Sequence, residues 1–149
     1  MRAFLGLGSN IGDRRRMLTD AVAAMPDVVA VSPVFETDPV GGPDQDDYLN
    51  IVVELDTVEG PRALLERCRE LELAAERRRV VRWGPRTLDV DVLLIDGVIV
   101  DDDDYAVPHP RMHERNFVMA PLLTLDPTLA VPGYDPATAI GTVRAIGPL

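Results

Sequence analysis

Nine residues, Tyr48 to Asp56, constrain the fold more tightly than any other stretch of the chain. Leu49, Ile51, Val53 and Leu55 alternate with Tyr48, Asn50, Val52 and Glu54. An extended chain with that pattern has one apolar face and one mixed face. Leu88 to Leu94 repeats the arrangement, with Leu88, Val90, Val92 and Leu94 expected on one side and Asp89 and Asp91 on the other. Strands that are apolar on one side only suit an antiparallel sheet covered by helices on that side. Two helical patterns supply the cover. Leu18, Ala21, Val22 and Met25 keep helical spacing before Pro26; Leu64, Cys68, Leu71 and Ala75 form a stripe after Pro61, a residue suited to a first helical turn. With Phe4 to Gly8 and Val28 to Phe35 as further strands, the order is βαββαβ. That order places Tyr48, Asn50, Asp89 and Asp91 together on the uncovered face.

Smaller features complete the expected outline. Ser9 or Asn10 is suited to cap the first helix. Pro33 marks an edge strand or a bulge. Asp96-Gly97 is a two-residue hairpin signal joining L-L-I to V-I-V. Asp101 to Asp104 reads as a solvated turn, and V-P-H-P-R-M-H-E-R as a loop before a short helix near Asn116 to Leu123. The long turn-rich segment T-D-P-V-G-G-P-D-Q-D-D is expected to be a functional loop. The last twenty-odd residues, rich in Pro, Gly and Ala, carry little signal.

A length of 149 residues fits one domain, and the net charge of −10 argues against a general role on nucleic acid or anionic lipid. All 15 basic residues are arginine, so a phosphate-binding loop built on lysine is excluded. No apolar run approaches a membrane span, the start is too short in apolar residues for a signal peptide, and the single cysteine, Cys68, fits a reducing cytoplasm.

Chemistry concentrates between residues 72 and 117. Two carboxylates on one strand face, Asp89 and Asp91, repel each other unless a cation lies between them. Hard oxygen ligands suit Mg²⁺, which takes one or two carboxylates together with substrate phosphates. Arg77, Arg78, Arg79, Arg82 and Arg86 crowd the preceding turn and have the fork geometry to hold such phosphates. Each residue also has a plainer reading. The aspartates could be ordinary surface charges, and the arginines a solvated helix end. Trp83 could be core, although beside Gly84-Pro85 it suits stacking on a heteroaromatic ring. Tyr48 and Asn50 could be simple sheet residues, but an amide's paired donor and acceptor matches the edge of a nitrogen heterocycle. His109, between two prolines, is either structural or a phosphate donor. Glu72 falls on the edge of an apolar helical stripe, where a carboxylate needs a reason to be. Gly6, Gly8 and Gly12 resemble a dinucleotide loop only superficially, because no parallel sheet follows.

Taken together, the segments L-G-L-G-S-N-I-G-D, S-P-V-F-E-T-D-P-V-G, Y-L-N, R-W-G-P-R-T-L-D-V-D-V-L-L-I, V-P-H-P and R-N-F-V-M-A-P-L, ending at Asp126-Pro127, run in one order across roughly residues 4–127. In this the chain resembles the 6-hydroxymethyl-7,8-dihydropterin pyrophosphokinase family of folate biosynthesis. The resemblance implies an α+β, ferredoxin-like fold with helices on one face and an open face carrying the active site. It implies transfer of pyrophosphate from ATP to the pterin alcohol, by a cytoplasmic monomer needing no nucleic acid or membrane. Asp89 and Asp91 would hold two Mg²⁺ ions. Thr37, Val40, Tyr48 and Asn50 would form the pterin pocket, with Trp83 and Phe117 sandwiching the ring. Arg77, Arg79, Arg86, His109 and Arg115 would contact the ATP phosphates, with Arg77 and Arg86 taking part in catalysis, and Glu72 would lie on the nucleotide side. The chain departs from the family pattern at Asp38, Glu76 and Asp104. Two other classes fit parts of the pattern: a nucleic-acid-binding module using the open sheet, and a catalytically inactive homologue.

Overall fold

A computed structural model of the chain describes residues 1–10, 12–37, 47–77 and 88–149, with Arg77 described only as the last residue of a helix. The sheet is antiparallel. Strand β1 (Arg2–Ser9) lies at its centre, flanked by β4 (Tyr48–Asp56) and β5 (Asp89–Ile95). Beyond β4 come β2 (Val28–Val31), β3 (Phe35–Thr37) and finally β8 (Val143–Ala145), giving the order β5-β1-β4-β3-β8 with β2 also on β4.

Helices α1 (Arg14–Ala23) and α2 (Pro61–Arg77) cover one face. Their apolar stripes, with Leu18, Ala21, Leu64, Cys68, Leu71 and Ala75 buried, meet Ala3, Leu5 and Leu7 of β1 and Leu49, Ile51, Val53 and Leu55 of β4. The alternation of β4 is as its sequence requires. Each fully buried leucine in such a core contributes roughly 1.5–3 kcal/mol.

The opposite face is less bare than expected. Helix α3 (Asn116–Leu125) and the short 3-10 turn at Met112–Glu114 close over part of it. Phe4, Val52, Leu93, Met112, Met119 and Leu122 form a second core there. Helices therefore pack on both faces, and only the remainder of the second face stays open. The reason lies in α3 itself, whose buried Met119, Pro121 and Leu122 need apolar cover.

Strand β5 also departs from simple alternation. Phe4 pairs with Leu94 but Leu5 pairs with Val92, so Leu93 is an inserted residue. Val90, Val92 and Ile95 pack under the helices, whereas Leu93 and Leu94 both pack in the second core. The expectation that Leu94 shares a face with Val90 fails because of this bulge.

Three local expectations are corrected. The cap of α1 is Asp13, whose side chain accepts from the Arg16 amide at 3.2 Å; Ser9 and Asn10 are buried at the end of β1. Pro33 does break the strand into β2 and β3, and the Ser32 hydroxyl accepts from the Val52 amide at 2.9 Å to bridge the break, but β8 then covers the far side of β3. A turn forms at Asp96-Gly97, with Gly97 at φ 74°. The strand after it, β6 (Val100–Asp101), pairs with β7 (Ala106–Val107) instead of β5. The free edge of β5 is already taken at Leu93, whose carbonyl accepts from the His109 amide at 2.7 Å. Asp101 to Asp104 are exposed, as a solvated turn should be, and Asp104 lies 3.7 Å from Arg62.

Candidate active site

The uncovered part of the second face is a cleft of about 470 Å³. Its floor is the backbone of β1 at Gly6 and Gly8, and the strand register aligns the walls. Gly8 pairs with Asn50 on one side and Asp89 on the other; Gly6 pairs with Val52 and Asp91. Asn50 and Asp89 therefore face each other across a glycine, roughly 9–10 Å apart at two strand spacings. Side chains at positions 6 and 8 would fill that space. A Cβ built on Gly8 would lie 2.8 Å from Asn50 Oδ1, and one on Gly6 3.3 Å from Leu93.

At one end of the cleft stand Thr37, Tyr48, Asn50 and Phe117. Asn50 is buried and donates from Nδ2 to Thr37 Oγ1 at 2.7 Å, which fixes the plane of its amide. Burial pushes the Tyr48 phenol up from its ordinary value, and nearby Asp89 adds to the effect, so the hydroxyl keeps its proton. Phe117 lies in the first turn of α3, and the Arg115 guanidinium lies 5.7 Å from its ring centroid.

Asp89 and Asp91 line the other end, about 7 Å apart along the strand. Glu72 of α2 also reaches the cleft, and its Oε2 accepts from the Val90 amide at 3.0 Å. The carboxylate that looked misplaced on an apolar stripe thus ties α2 to the strand bearing both aspartates. His109 lies within electrostatic reach of Asp91, Arg111 and Arg115. Its Nδ1 accepts from the Arg111 amide at 3.2 Å, so in the neutral ring the proton sits on Nε2. Burial holds the imidazole below its ordinary pKa, opposed by Asp91 and assisted by Arg115 and Arg111.

Of the residues singled out from sequence, Thr37, Tyr48, Asn50, Glu72, Asp89, Asp91, Arg115 and Phe117 all line this one cleft, whereas His109 is not among its lining residues and lies beside it near Arg111. Val40, Arg79, Trp83, Arg86 and the side chain of Arg77 lie outside the described residues. Sequence reasoning missed Arg111, Glu114, Leu93 and Ile140 as lining residues. It also missed the two glycines as a floor. Glycine inside a strand signals close approach, and that signal was available at Gly6 and Gly8. Nothing marked Ile140, which reaches the cleft because the Asn116 amide side chain donates to the Ala139 and Gly141 carbonyls at 3.2 and 3.1 Å.

The carboxylate pair offers hard oxygen donors on one rigid strand, open to the cleft. No group of three or more metal-ligating side chains occurs among the described residues. An ion at these aspartates would need further oxygens from phosphate or water, which is how Mg²⁺ is ordinarily held.

Comparison with known proteins gives the same segments a common origin. Residues 4–127 match the family model for 7,8-dihydro-6-hydroxymethylpterin-pyrophosphokinase. The chain belongs to this family. Three of its relatives are named 2-amino-4-hydroxy-6-hydroxymethyldihydropteridine pyrophosphokinase. The Bacillus subtilis protein is 49% identical over 80% of this chain and 75% of its own length. The Methylorubrum extorquens protein is 47% identical over 98% of this chain and 96% of its own. The Pseudomonas aeruginosa protein is 41% identical over 88% and 84% respectively. Family membership extends to Asp126-Pro127, whereas the wall at Ile140 lies beyond the matched residues.

Proposed function

We propose that this chain transfers the pyrophosphoryl group of ATP to 6-hydroxymethyl-7,8-dihydropterin, giving AMP and the pterin diphosphate, a step of folate biosynthesis. One observation carries the assignment of roles: a fixed buried amide and a pair of carboxylates share one cleft across a glycine floor. Family membership supplies the reaction.

At the pterin end, Asn50 presents amide groups to the heterocycle's edge while Thr37 holds the amide in plane. Tyr48 offers a hydroxyl, and Phe117 a ring face for stacking. Val40 and Trp83 complete the pocket in this reading. At the other end Asp89 and Asp91 would hold two Mg²⁺ ions, which when bound supply charge neutralisation to the triphosphate. In this reading Arg115 at the cleft and His109 beside it would contact the same phosphates, the roles of Arg77, Arg79 and Arg86 resting on the family resemblance alone, while Glu72 positions the strand. The pterin hydroxymethyl oxygen forms a bond to the β-phosphorus, and the bond from that phosphorus to the α–β bridging oxygen breaks, so AMP leaves with the electron pair. The hydroxyl proton passes to solvent. The chain's own contribution is placement of two reactants in line and in a polar, charge-matched site.

The sheet order β5-β1-β4-β3, every neighbouring pair antiparallel, supports a ferredoxin-like plan to which β8 and α3 are added. We further read the protein as a single-domain cytoplasmic monomer that uses neither nucleic acid nor membrane. Its net charge of −10 speaks against nucleic acid and anionic membrane as partners. No helix among the described residues is long and apolar enough to cross a membrane.

The test is AMP release from MgATP with and without the pterin. Release that depends on the pterin is expected, and Asp91→Ala should lower its rate at least about a hundredfold, some 2.7 kcal/mol of transition-state stabilisation. Near-normal AMP formation by that variant would refute the role of the dicarboxylate end.

A further inference from the structure

We infer that Arg111 is an additional polyphosphate-binding residue of this cleft, held at its rim by an exposed partner, Glu114, that yields to the phosphates. The inference rests on the reading that MgATP occupies the carboxylate end.

Arg111 lines the cleft with Asp89, Asp91 and Arg115. Its backbone is anchored on both sides: its amide donates to His109 Nδ1 at 3.2 Å, and the next residue, Met112, is 2% exposed in the second core. Its side chain is anchored only loosely. Arg111 Nε meets Glu114 Oε2 at 3.1 Å, with side chains 66% and 45% exposed. An exposed pair three residues apart contributes little net stability and is screened by salt, so it opposes a polyanion weakly. The charge balance points the same way. Among the described lining residues the carboxylates are Glu72, Asp89, Asp91 and Glu114, while the guanidiniums are Arg111 and Arg115 alone. A site with that excess of acid needs each of its cations when a polyphosphate enters.

Two variants separate this from a merely structural ion pair. Arg111→Gln and Glu114→Gln each remove the same Arg111–Glu114 ion pair, so a structural role makes their effects alike. A phosphate-binding role makes them opposite. Calorimetry with the Mg²⁺ complex of α,β-methylene ATP reads binding without turnover. Arg111→Gln is expected to weaken Kd about five- to tenfold, as loss of a rim charge-assisted hydrogen bond should. Glu114→Gln is expected to bind at least as tightly as the unaltered protein, and Arg111→Lys to recover part of the loss. Urea melts of the three variants check that folding is retained. Equal weakening by Arg111→Gln and Glu114→Gln, or unaltered affinity in Arg111→Gln, overturns the inference while the proposed reaction stands. Failure of the unaltered protein to bind the analogue overturns both.

Discussion

Replacing Gly8 by alanine tests the glycine floor with a single methyl group. That methyl would lie 2.8 Å from Asn50 Oδ1 and 3.8 Å from Tyr48 Cδ1. The first distance is well inside contact, so Asn50 must move. Asn50 is only 7% exposed and is tied through Nδ2 to Thr37 Oγ1 at 2.7 Å. Turning the amide away therefore breaks a buried hydrogen bond, at a cost of roughly 1–3 kcal/mol. The same movement removes the amide from the heterocycle. Pterin affinity should fall at least about tenfold, the equivalent of some 1.4 kcal/mol, because the site must first be restored or the contact forgone. Affinity for an MgATP analogue should change less than about threefold, since the aspartates sit on the other neighbour of β1. Calorimetry with each ligand separately gives the split, and Asn50→Ala, which removes the amide altogether, should reproduce it. Near-native pterin binding by Gly8→Ala would refute the argument that the empty space at Gly8 is what seats Asn50, as would equal losses for both ligands.

Other predictions address what holds the site in place. Glu72→Ala leaves the Val90 amide without its carboxylate partner; urea unfolding should show a loss of about 1–3 kcal/mol, and AMP release should fall as the Asp89–Asp91 strand loosens. Arg67 grips Asp27 through two contacts of 2.6 and 2.9 Å and holds that carboxyl below the ordinary aspartate range. A depressed folded pKa stabilises the protein above the unfolded value of about 3.9, and that stability disappears as pH falls through the folded value. Asp27→Asn should therefore be about 2 kcal/mol less stable at pH 7, with the difference constant above the unfolded carboxylate value and shrinking as pH falls through the depressed folded value; a difference that grows as pH falls below about 4 would contradict this. Burial pushes the Cys68 thiol up to about 12, with Asp91 and Glu72 adding to the shift. Cys68 should stay unreactive toward a thiol-exchange reagent at pH 8 and react fully once urea unfolds the chain.

The parts of the fold that were legible in sequence are those where one physical pattern acts alone. The alternation of Tyr48–Asp56 and the stripe Leu64, Cys68, Leu71, Ala75 each needed only a strand or helix period, and both stand as read. The readings that failed are those where tertiary contacts override a local signal. Asp96-Gly97 does make a turn, but the edge of β5 was already hydrogen-bonded by His109. Apolar residues of α3 were visible, but their burial against Phe4 and Val52 depended on which side of the sheet the chain would cross. The cleft was half legible. Asp89, Asp91, Tyr48 and Asn50 could be placed on one face by parity; Arg111 and Ile140 reach it through turns that no period encodes.

The inserted residue at Leu93 divides β5 into two segments with opposite phase. Upstream of it the odd-numbered positions look into the cleft, and downstream the parity is reset for packing under α2. A one-residue deletion at Leu93 would therefore restore regular alternation, keeping both aspartates and Ile95 on their present faces and costing only the Leu93 side chain of the second core, whereas the same deletion at Val90 would throw Asp89 to the wrong side. Tolerance to single-residue deletions along this short strand should accordingly change character at the slip, separating loss of stability from loss of chemistry within seven residues.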